Sequence, residues 1–570
     1  MHYQTPTDTF VTAESIRNDE YIYFGGETVY HHEIFVDFHS QLLTSYMSFA
    51  GFTEAYNDKI DTLRNRNARQ NDQTTTISTG AFTQCTNKPT QQHTSSGLIQ
   101  RKRRSSVTKM NEKSIQINYI IYETMRMVFM LTDSTKYPIP RTLTDKQVKD
   151  TYFRTHNDYF YSLFTAFWTR HKTLSKTCST NCSKVFLVDG HRKAHRFVCQ
   201  QENVCDLSTE EMGAVHVGCP ETPLRATELG DKRYCRLHQN QQKQPNSNQT
   251  KVDINDPNAE MIKLANEARQ QEITASKEEH TCNVYRDDII NDKRLSSYGI
   301  LVTFFNCSVI VGFDECPRSE GMRRVIRHLL RILEYGQLPS ACMYDTACML
   351  KLFIKNWYDT PYLKKSERTE FLSKVTFAID RFHQPNHKQA MCKHEMRADH
   401  ESHGSTFNDV DSQVAERMFS YLTNFKHSFR AYTYPKSRAF FLILFHLKNC
   451  KTTKINPDEQ RIGCCVIPKD EQTTNKRNDS SIRTPQNLSH NKNLTQKPIL
   501  TFISTVDDEQ VEMLATEDET ISPVRAQLRV LKAEQNKTLN QNNFPLRDTL
   551  QLSTNTTGAS SIASKSASGK

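Results

Sequence analysis

Residues 299–345 read GILVTFFNCSVIVGFDECPRSEGMRRVIRHLLRILEYGQLPSACMYD. The apolar, β-branched runs at 299–306 and 308–313 predict two strands joined by a tight turn. Residues 322–335 repeat apolar side chains at helical spacing and stop before a glycine, which predicts a helix. The short apolar run 341–345 predicts a further strand that ends in an acid. A hairpin followed by a helix and a strand indicates an α/β domain.

The flanking segments extend this pattern in both directions. Upstream, KVFLVDG at 184–190 predicts a buried strand. Downstream, the pattern predicts a helix at 346–358, a strand at 374–380 and a helix at 412–431. The complete order is strand, hairpin, helix, strand, helix, strand, helix, with one long insertion at about 190–296. This is the element order of a ribonuclease H-like fold, so we expect an α/β class with such a core.

Two of the predicted strands end in an aspartate. Asp189 closes the first strand and Asp345 closes the fourth, and these strands are neighbours in a ribonuclease H-like sheet. Two Mg²⁺ or Mn²⁺ ions about 3.5–4 Å apart need carboxylates on rigid elements to direct attack at a phosphodiester. The last helix offers Glu416 as the third catalytic acid, on a polar stripe that could also face bulk water. An ordinary turn or helix cap is the alternative for each aspartate. Substitutes for the third acid are Asp409, Asp411 and Glu320.

The insertion holds cysteines and a histidine at the spacing of metal ligands. Cys219 and the pair Cys235 and His238 form a C-x15-C-x2-H pattern, and Cys199 or Cys205 could add a fourth ligand. This ligand set suits a structural Zn²⁺ ion. Short polar loops have too little core to fold alone, so a metal would supply the missing stability. We predict that Cys199, Cys219, Cys235 and His238 bind structural zinc, with free thiols as the alternative.

A second group of possible ligands follows the predicted strand 374–380. It consists of His383, His387 and Cys392. Pro385 argues against a regular helix between the histidines. The group could bind a second zinc ion, or it could be a polar loop near the active-site edge. Upstream of the insertion, Cys178 and Cys182 could join its zinc site.

Two basic stretches could contact nucleic acid. The helix predicted at 322–335 has a stripe that consists of Arg323, Arg324, Arg327, His328 and Arg331. Such a stripe can follow a phosphate backbone, although a solvated helix face is the commoner explanation. The run RKRR at 101–104 predicts a nuclear import signal, with a solvated charge run as the alternative. The net charge of +10 is too small to indicate nucleic-acid binding by itself.

The rest of the chain divides by composition. Residues 1–65 predict a helical segment, 66–113 a polar linker without fixed structure, and 114–176 a helical region. The core, 177–450, is followed by a mostly disordered tail at 451–570. Only 36% of the 570 residues are hydrophobic, which agrees with a chain that forms a core over part of its length.

Composition also excludes several classes of protein. The mean hydropathy is −0.68, and no stretch approaches the roughly 18–20 apolar residues of a membrane span. The first residues, MHYQTPTDTF, lack the pattern of a secretory signal, so we expect no export. Of the 16 cysteines, none precedes Cys85. Without export, clustered cysteine and histidine indicate reduced thiols and zinc rather than disulfides.

Five segments in order resemble the KDZ (Kyakuja–Dileera–Zisupton) transposases and their derivatives with cysteine clusters. They are LVDGHRKAHRFVC, GCPETP with YCRLH, ACMYDTACML, FAIDRFHQPNHKQAMC and SQVAERMFSYL, spread over about 184–450. The resemblance implies a ribonuclease H-like core, a zinc-binding insert and an acidic triad. The triad would be Asp189, Asp345 and Glu416. His191 departs from the pattern, since an asparagine or similar small polar residue is expected there.

The resemblance implies a nuclear, transposase-derived protein that cleaves DNA and transfers strands with two divalent metal ions. DNA would be the partner, and a homo-oligomer is possible. Host-adapted or decayed copies of such elements exist, so activity is a separate question from ancestry. The alternative is a non-catalytic zinc-binding nuclear protein that contacts DNA or proteins through the same fold. A metal-dependent nuclease that acts on RNA is a third reading, because the fold does not define the substrate.

Overall fold

The central feature of the computed structural model is a mixed five-stranded sheet in an α/β fold. The strands are β1 (Tyr3–Gln4), β2 (Asp8–Thr12), β3 (Tyr21–Ile22), β4 (Tyr30–His31), β5 (Lys136–Pro140), β6 (Phe186–His191), β7 (Cys205–Thr209), β8 (Gly213–His216), β9 (Gly299–Phe305), β10 (Ile310–Cys316), β11 (Ala341–Tyr344) and β12 (Thr376–Ile379). The structure describes residues 3–4, 8–24, 28–77, 109–140, 145–174, 181–202, 204–243, 263–270, 296–318 and 321–459, with single residues at 143, 178, 260 and 282.

The helices surround this sheet. They are α1 (Ala13–Asn18), α2 (His32–Ser45), α3 (Phe49–Ile77), α4 (Glu112–Leu131), α5 (Lys146–Trp168), α6 (His171–Leu174), α7 (Met322–Tyr335), α8 (Ala347–Trp357), α9 (Glu367–Lys374), α10 (Ala390–Lys393), α11 (Val414–Thr423), α12 (Lys426–Ala431) and α13 (Lys436–Thr453). Residues 263–270 are also helical. No helix of the described residues is long and apolar enough to span a membrane.

The sheet has the strand order β10, β9, β6, β11, β12. β9 is antiparallel to both β6 and β10, whereas β11 runs parallel to β6 and to β12. Every residue of β9 is buried, which explains why its sequence is a continuous apolar run rather than an alternating one. The strands predicted for the core and the helices predicted at 322–335 and 346–358 are confirmed, with boundaries shifted by a few residues.

The N-terminal region packs onto this core instead of standing apart from it. α4 and α5 pack against α13, and α5 also contacts β10 and α7. The side chain of Asn449 on α13 accepts from the Ile310 amide at 2.9 Å and donates to the Ile310 carbonyl at 2.7 Å, so it covers the edge of the sheet. Close packing requires a glycine on this edge strand: a Cβ at Gly312 would lie 2.4 Å from Ile332.

Two expectations about the flanking regions are corrected. The segment 1–65, predicted as helical, also contains strands, because β2 pairs with β5 across more than a hundred residues. The segment predicted as an unstructured linker overlaps α3, which continues to Ile77. Residues 78–108 and 460–570, which include the basic run and most of the predicted tail, lie outside the described residues. The helix predicted at 412–431 is interrupted between α11 and α12.

The basic stripe of α7 is buried, which overturns both interpretations of it. Arg327 binds the carboxylates of Asp206 and Asp314, and Arg331 lies 3.0 Å from Asp158. Arg323 donates to backbone carbonyls of the β7–β8 region. α7 thus presents apolar side chains to the sheet, and each of its arginines finds an acid or a carbonyl on the insertion, on α5 or on β10.

Candidate active site and metal centres

Three neighbouring parallel strands of the sheet carry an aspartate at the same level, directly after the last residues of β11 and β12 and within β6. In the register of the sheet, Tyr344 lies between Val188 and Ile379. The residues that follow these three are Asp189, Asp345 and Asp380. Adjacent strands are about 4.8 Å apart, so the register places one carboxylate row along this edge. We call these three residues the carboxylate edge.

The two predicted catalytic aspartates make local hydrogen bonds. Asp189 Oδ1 accepts from the Gly190 amide at 2.7 Å, and Asp345 Oδ1 accepts from the Thr346 amide at 2.6 Å. Burial raises the pKa of Asp345, while the nearby His383 and the Thr346 amide oppose this rise. A carboxyl group whose pKa is raised by burial needs a nearby positive charge to stabilise its anion.

Glu416 reaches the same edge from the first turn of α11. Both of its carboxylate oxygens are buried and lack a hydrogen-bond partner among the described residues. Burial raises the pKa of Glu416, and the negative charge of Asp380 adds to this effect. An ionised carboxylate in such a position is costly unless a cation or a proton compensates it.

α11 is held against the sheet by an aromatic contact. The ring of His191 at the end of β6 stacks on Phe419, with centroids 4.5 Å apart and planes inclined by 18°. His191 therefore has a packing role at the position where the resemblance leads us to expect a small polar residue. Gly299, next to it, is required for the close approach of the strands: its φ is +140°, and a Cβ there would lie 2.1 Å from the His191 carbonyl oxygen.

His383 lies among the acids. Its Nδ1 is 2.6 Å from Asp380 Oδ2, and possible ligand atoms of Asp380, His383 and Glu416 lie within 4.8 Å of one another. The hydrogen bond to Asp380 raises the pKa of His383, and the charges of Asp345 and Glu416 contribute to the rise. Asp189 and Asp345 are not members of this group of three. Glu416 therefore joins the carboxylate edge through Asp380 and His383.

The four predicted ligands of the insertion lie together. We call Cys199, Cys219, Cys235 and His238 the insert cluster. The Sγ atoms of Cys199 and Cys235 are 3.4 and 3.3 Å from His238 Nδ1, and the Sγ atoms of Cys219 and Cys235 are 3.9 Å apart. Tetrahedral zinc requires about 3.6 Å between sulfur and nitrogen and about 3.8 Å between sulfurs. The competing Cys205 instead lies 3.4 Å from His216 Nδ1.

The second predicted group is divided. His387 and Cys392 join two cysteines from distant segments, whereas His383 lies with Asp380 and Glu416 as described above. We call Cys282, Cys348, His387 and Cys392 the inner cluster. The physical reason for the division is the turn at Gln384–Asn386. Pro385 prevents a regular helix there, so His383 and His387 do not lie on one helix face.

A third cluster was not expected as a unit. We call His171, Cys178, Cys182 and Cys307 the hairpin cluster, because Cys307 lies in the turn between β9 and β10. His171 Nε2 is 2.9–3.4 Å from all three Sγ atoms. Its Nδ1 donates to the Trp168 carbonyl at 2.7 Å, an arrangement typical of metal-binding histidines. Cys178 and Cys182 therefore do not join the insert cluster.

The thiols of these clusters have shifted pKa values. Hydrogen bonds from neighbouring thiols and His238 lower the pKa of Cys199, and those from Cys348 and His387 lower the pKa of Cys392 to about 5. Bonds to the same thiols raise the pKa of His238 to about 9. Hydrogen bonds from Cys307 and His171 lower the pKa of Cys182 in the hairpin cluster to about 4. In each cluster one thiol is therefore shifted towards the thiolate, which is the form that binds metal. All three clusters could hold a metal such as zinc.

Sequence reasoning missed three elements of these sites. Asp380 was not among the predicted acids, although it closes the predicted strand 374–380. Cys282 and Cys348 were not predicted as ligands of the second group. The link between His171 and Cys307 is not visible in local spacing. Comparisons with protein-family models, with curated proteins and with solved structures found no match for this chain. A function must therefore be argued from the geometry and the resembling motifs.

Proposed function

We propose that this chain is a transposase-derived DNA-processing protein of the KDZ type, with a ribonuclease H-like core that acts on phosphodiester bonds. The observation that carries this proposal is the carboxylate edge, which Glu416 approaches from a separate helix. The strand order agrees with a ribonuclease H-like core. The first strand of the core, β6, lies between β9 and β11, and β9 is the one strand of this sheet that runs antiparallel to the other four.

The residues at this edge fit a divalent cation. Glu416 offers two buried oxygens without a hydrogen-bond partner in the described part of the chain, and Asp345 is a partly buried acid whose pKa is raised. Oxygen-rich carboxylate sites are those that Mg²⁺ and Mn²⁺ prefer. Asp189, Asp345 and Glu416 would hold the metal, with Asp380 as a fourth acid. When bound, Mg²⁺ or Mn²⁺ would activate a water or 3′-hydroxyl and neutralise charge on the phosphate.

Basic side chains near this edge support a nucleic-acid substrate. Arg192 and Lys193 are exposed directly after β6, and Arg430 is exposed on α12. Arg430 lies 2.6 Å from His195 Nε2, which connects the two segments. Such side chains can neutralise backbone phosphates on both sides of a scissile bond. The nuclear location and a homo-oligomer remain predictions, since 101–104 lie outside the described residues.

His383 favours the rival function, a non-catalytic zinc-binding protein. The hydrogen bond to Asp380 raises the pKa of His383 and so favours its protonated form, which would neutralise charge at the edge without a divalent ion. In that case the fold would bind DNA or protein through its surface, and the edge would be structural. Replacing His383 with alanine should then destabilise the chain, while an active site would gain metal affinity because the competing charge is removed.

The test is the nicking of supercoiled DNA by purified protein with Mn²⁺. Wild type should nick, and Asp345→Asn should lower the rate by at least a hundredfold, since removing a metal ligand removes the stabilisation of transition-state charge (about 2.7 kcal/mol for a hundredfold change). The matched control is Asp399→Asn, an exposed aspartate paired with Arg397 at 2.6 Å. Equal rates for wild type and Asp345→Asn would refute the assigned site, and DNA binding that survives without nicking would favour the rival.

A further inference from the structure

The inner cluster lies directly behind the carboxylate edge. Cys348 occupies the first turn of α8, which follows Asp345, and His387 ends the turn that begins at Asp380. All four members of the cluster are buried. Its remaining ligands come from elsewhere: Cys392 lies in α10, and Cys282 belongs to the far side of the insertion.

The spacing of the inner cluster matches a tetrahedral metal and not a disulfide. Cys282 Sγ and Cys392 Sγ are 3.6 Å apart, and Cys348 Sγ is 3.5 Å from His387 Nδ1. A disulfide requires about 2.05 Å between sulfurs. Tetrahedral zinc requires about 3.8 Å between sulfurs and about 3.6 Å between sulfur and nitrogen. Four protein ligands and no open position are the properties of a structural zinc site.

We propose that the inner cluster binds a zinc ion that positions the carboxylate edge. The zinc site itself stands on its own geometry, whereas its positioning role rests on the function proposed above. The ion would fix Cys348 relative to His387 and thereby fix the ends of β11 and β12, which carry Asp345 and Asp380. Its ligands would be positioning residues, since they lie behind the acids and contact no substrate.

Backbone hydrogen bonds transmit this constraint over short distances. The Gln384 amide donates to the Asp380 carbonyl at 3.0 Å, and the His387 amide donates to the Gln384 carbonyl at 3.2 Å. The Met349 amide donates to the Thr346 carbonyl at 3.0 Å. Each acid is therefore tied to its zinc ligand by one or two turns with little freedom. A misplacement of about 1 Å at a catalytic group can cost a hundredfold in rate.

The first experiment measures zinc per chain in the full-length protein. Wild type should contain three equivalents, one for each Cys/His cluster of the described residues. Cys392→Ser should contain two, while His387→Cys should keep three because a thiolate replaces the imidazole. The control is Cys342→Ala, a buried cysteine on β11 outside the clusters, which should keep three. Equal zinc content in wild type and Cys392→Ser would overturn the site.

If Cys392→Ser does not fold, cobalt spectra of His387→Cys decide the question. Substitution of Co²⁺ for zinc should increase the thiolate-to-metal charge-transfer band, because the number of cobalt–sulfur bonds rises from nine to ten. An unchanged band would overturn the site. This readout is independent of DNA cleavage, so failure of the zinc site and failure of the proposed function are separate results.

The second experiment measures the nicking rate at saturating DNA. Cys392→Ser should lower kcat at least tenfold with KM for DNA unchanged, and His387→Cys should retain most of the wild-type rate. Loss of one zinc equivalent with an unchanged kcat would overturn the positioning role. Absence of nicking in wild type, together with three zinc equivalents, would refute the proposed function and leave the zinc site intact.

Discussion

The prediction that separates a structural from a DNA-binding role most clearly concerns Arg327 on α7. Its guanidinium binds Asp206 of β7 and Asp314 of β10, and Nη1 lies 2.5 Å from Asp314 Oδ2. The side chain of Arg327 is only 9% exposed, and that of Asp314 is 10% exposed. This group therefore bridges the insertion and the sheet from a position that a phosphate backbone cannot reach.

Arg327→Met removes the positive charge and keeps most of the aliphatic volume. Two acids then remain in a largely buried environment with fewer partners. Breaking a buried ion pair from one side costs about 3–5 kcal/mol. Because the unfolding entropy grows with chain length, each kcal/mol corresponds to about 1–2 °C for a unit larger than 250 residues, so we expect the melting temperature to fall by roughly 3–10 °C. The double variant Arg327→Met/Asp314→Leu should recover part of this loss, because one stranded carboxylate is gone.

Thermal unfolding and the salt dependence of DNA binding are the two assays. The control is Arg397→Met, since Arg397 is 48% exposed and its pair with Asp399 contributes about 0–1 kcal/mol. If Arg327 contacted phosphate, its loss would reduce the slope of log K against log salt by about 0.9. A melting temperature within the range of the Arg397 variant, or a slope reduced in this way, would refute the structural assignment.

Two further predictions concern the N-terminal packing and the docking of α11. Burial opposes ionisation of Glu123, but the charges of Arg126 and His39 lower its pKa from 4.5 to about 2. This shift adds about 3 kcal/mol to the free energy of unfolding above pH 4.5, and the contribution is lost as the pH falls towards 2. Glu123→Gln should therefore lose stability less steeply than wild type between pH 4.5 and 2. Parallel stability curves for the two proteins would contradict this assignment. His191→Ala removes the stacking on Phe419, worth about 0.5–1.5 kcal/mol. We expect this variant to have a reduced nicking rate and only a small decrease in melting temperature. Wild-type stability together with full nicking activity would contradict the docking role.

The sheet was predictable from sequence because its signals are local. The apolar run of β9 and the helical spacing of α7 need no information from distant residues. The small N-terminal sheet was not predictable in the same way, because β2 pairs with β5 and each strand is short and of mixed polarity. The burial of the α7 arginines was missed for a related reason. Their partners, Asp206 and Asp158, are far away in sequence.

The candidate sites show the same division. The ligands Cys219, Cys235 and His238 were found because a C-x2-H pair with a nearby cysteine is a local pattern. Spacing left Cys199 and Cys205 as alternatives, and the backbone distinguishes them: the Cys199 amide donates to the Glu221 carbonyl at 2.7 Å, which places Cys199 at the insert cluster. Cys282 could not be predicted as a ligand from the sequence, because no local pattern connects it to Cys348.

Metals in these clusters would help to account for how a chain with 36% hydrophobic residues joins distant segments to its sheet. The hairpin cluster joins the segment before β6 to the β9–β10 turn, at one end of the sheet. The inner cluster joins the insertion to the ends of β11 and β12, at the other. Closing a long loop costs entropy that grows only slowly with its length. A metal ion that joins distant segments would therefore stabilise the fold where little apolar surface is buried. A metal in the inner cluster would therefore stabilise the contact between the insertion, through Cys282, and the core. Chelation should therefore release the insertion before it unfolds β9, whose residues are all buried.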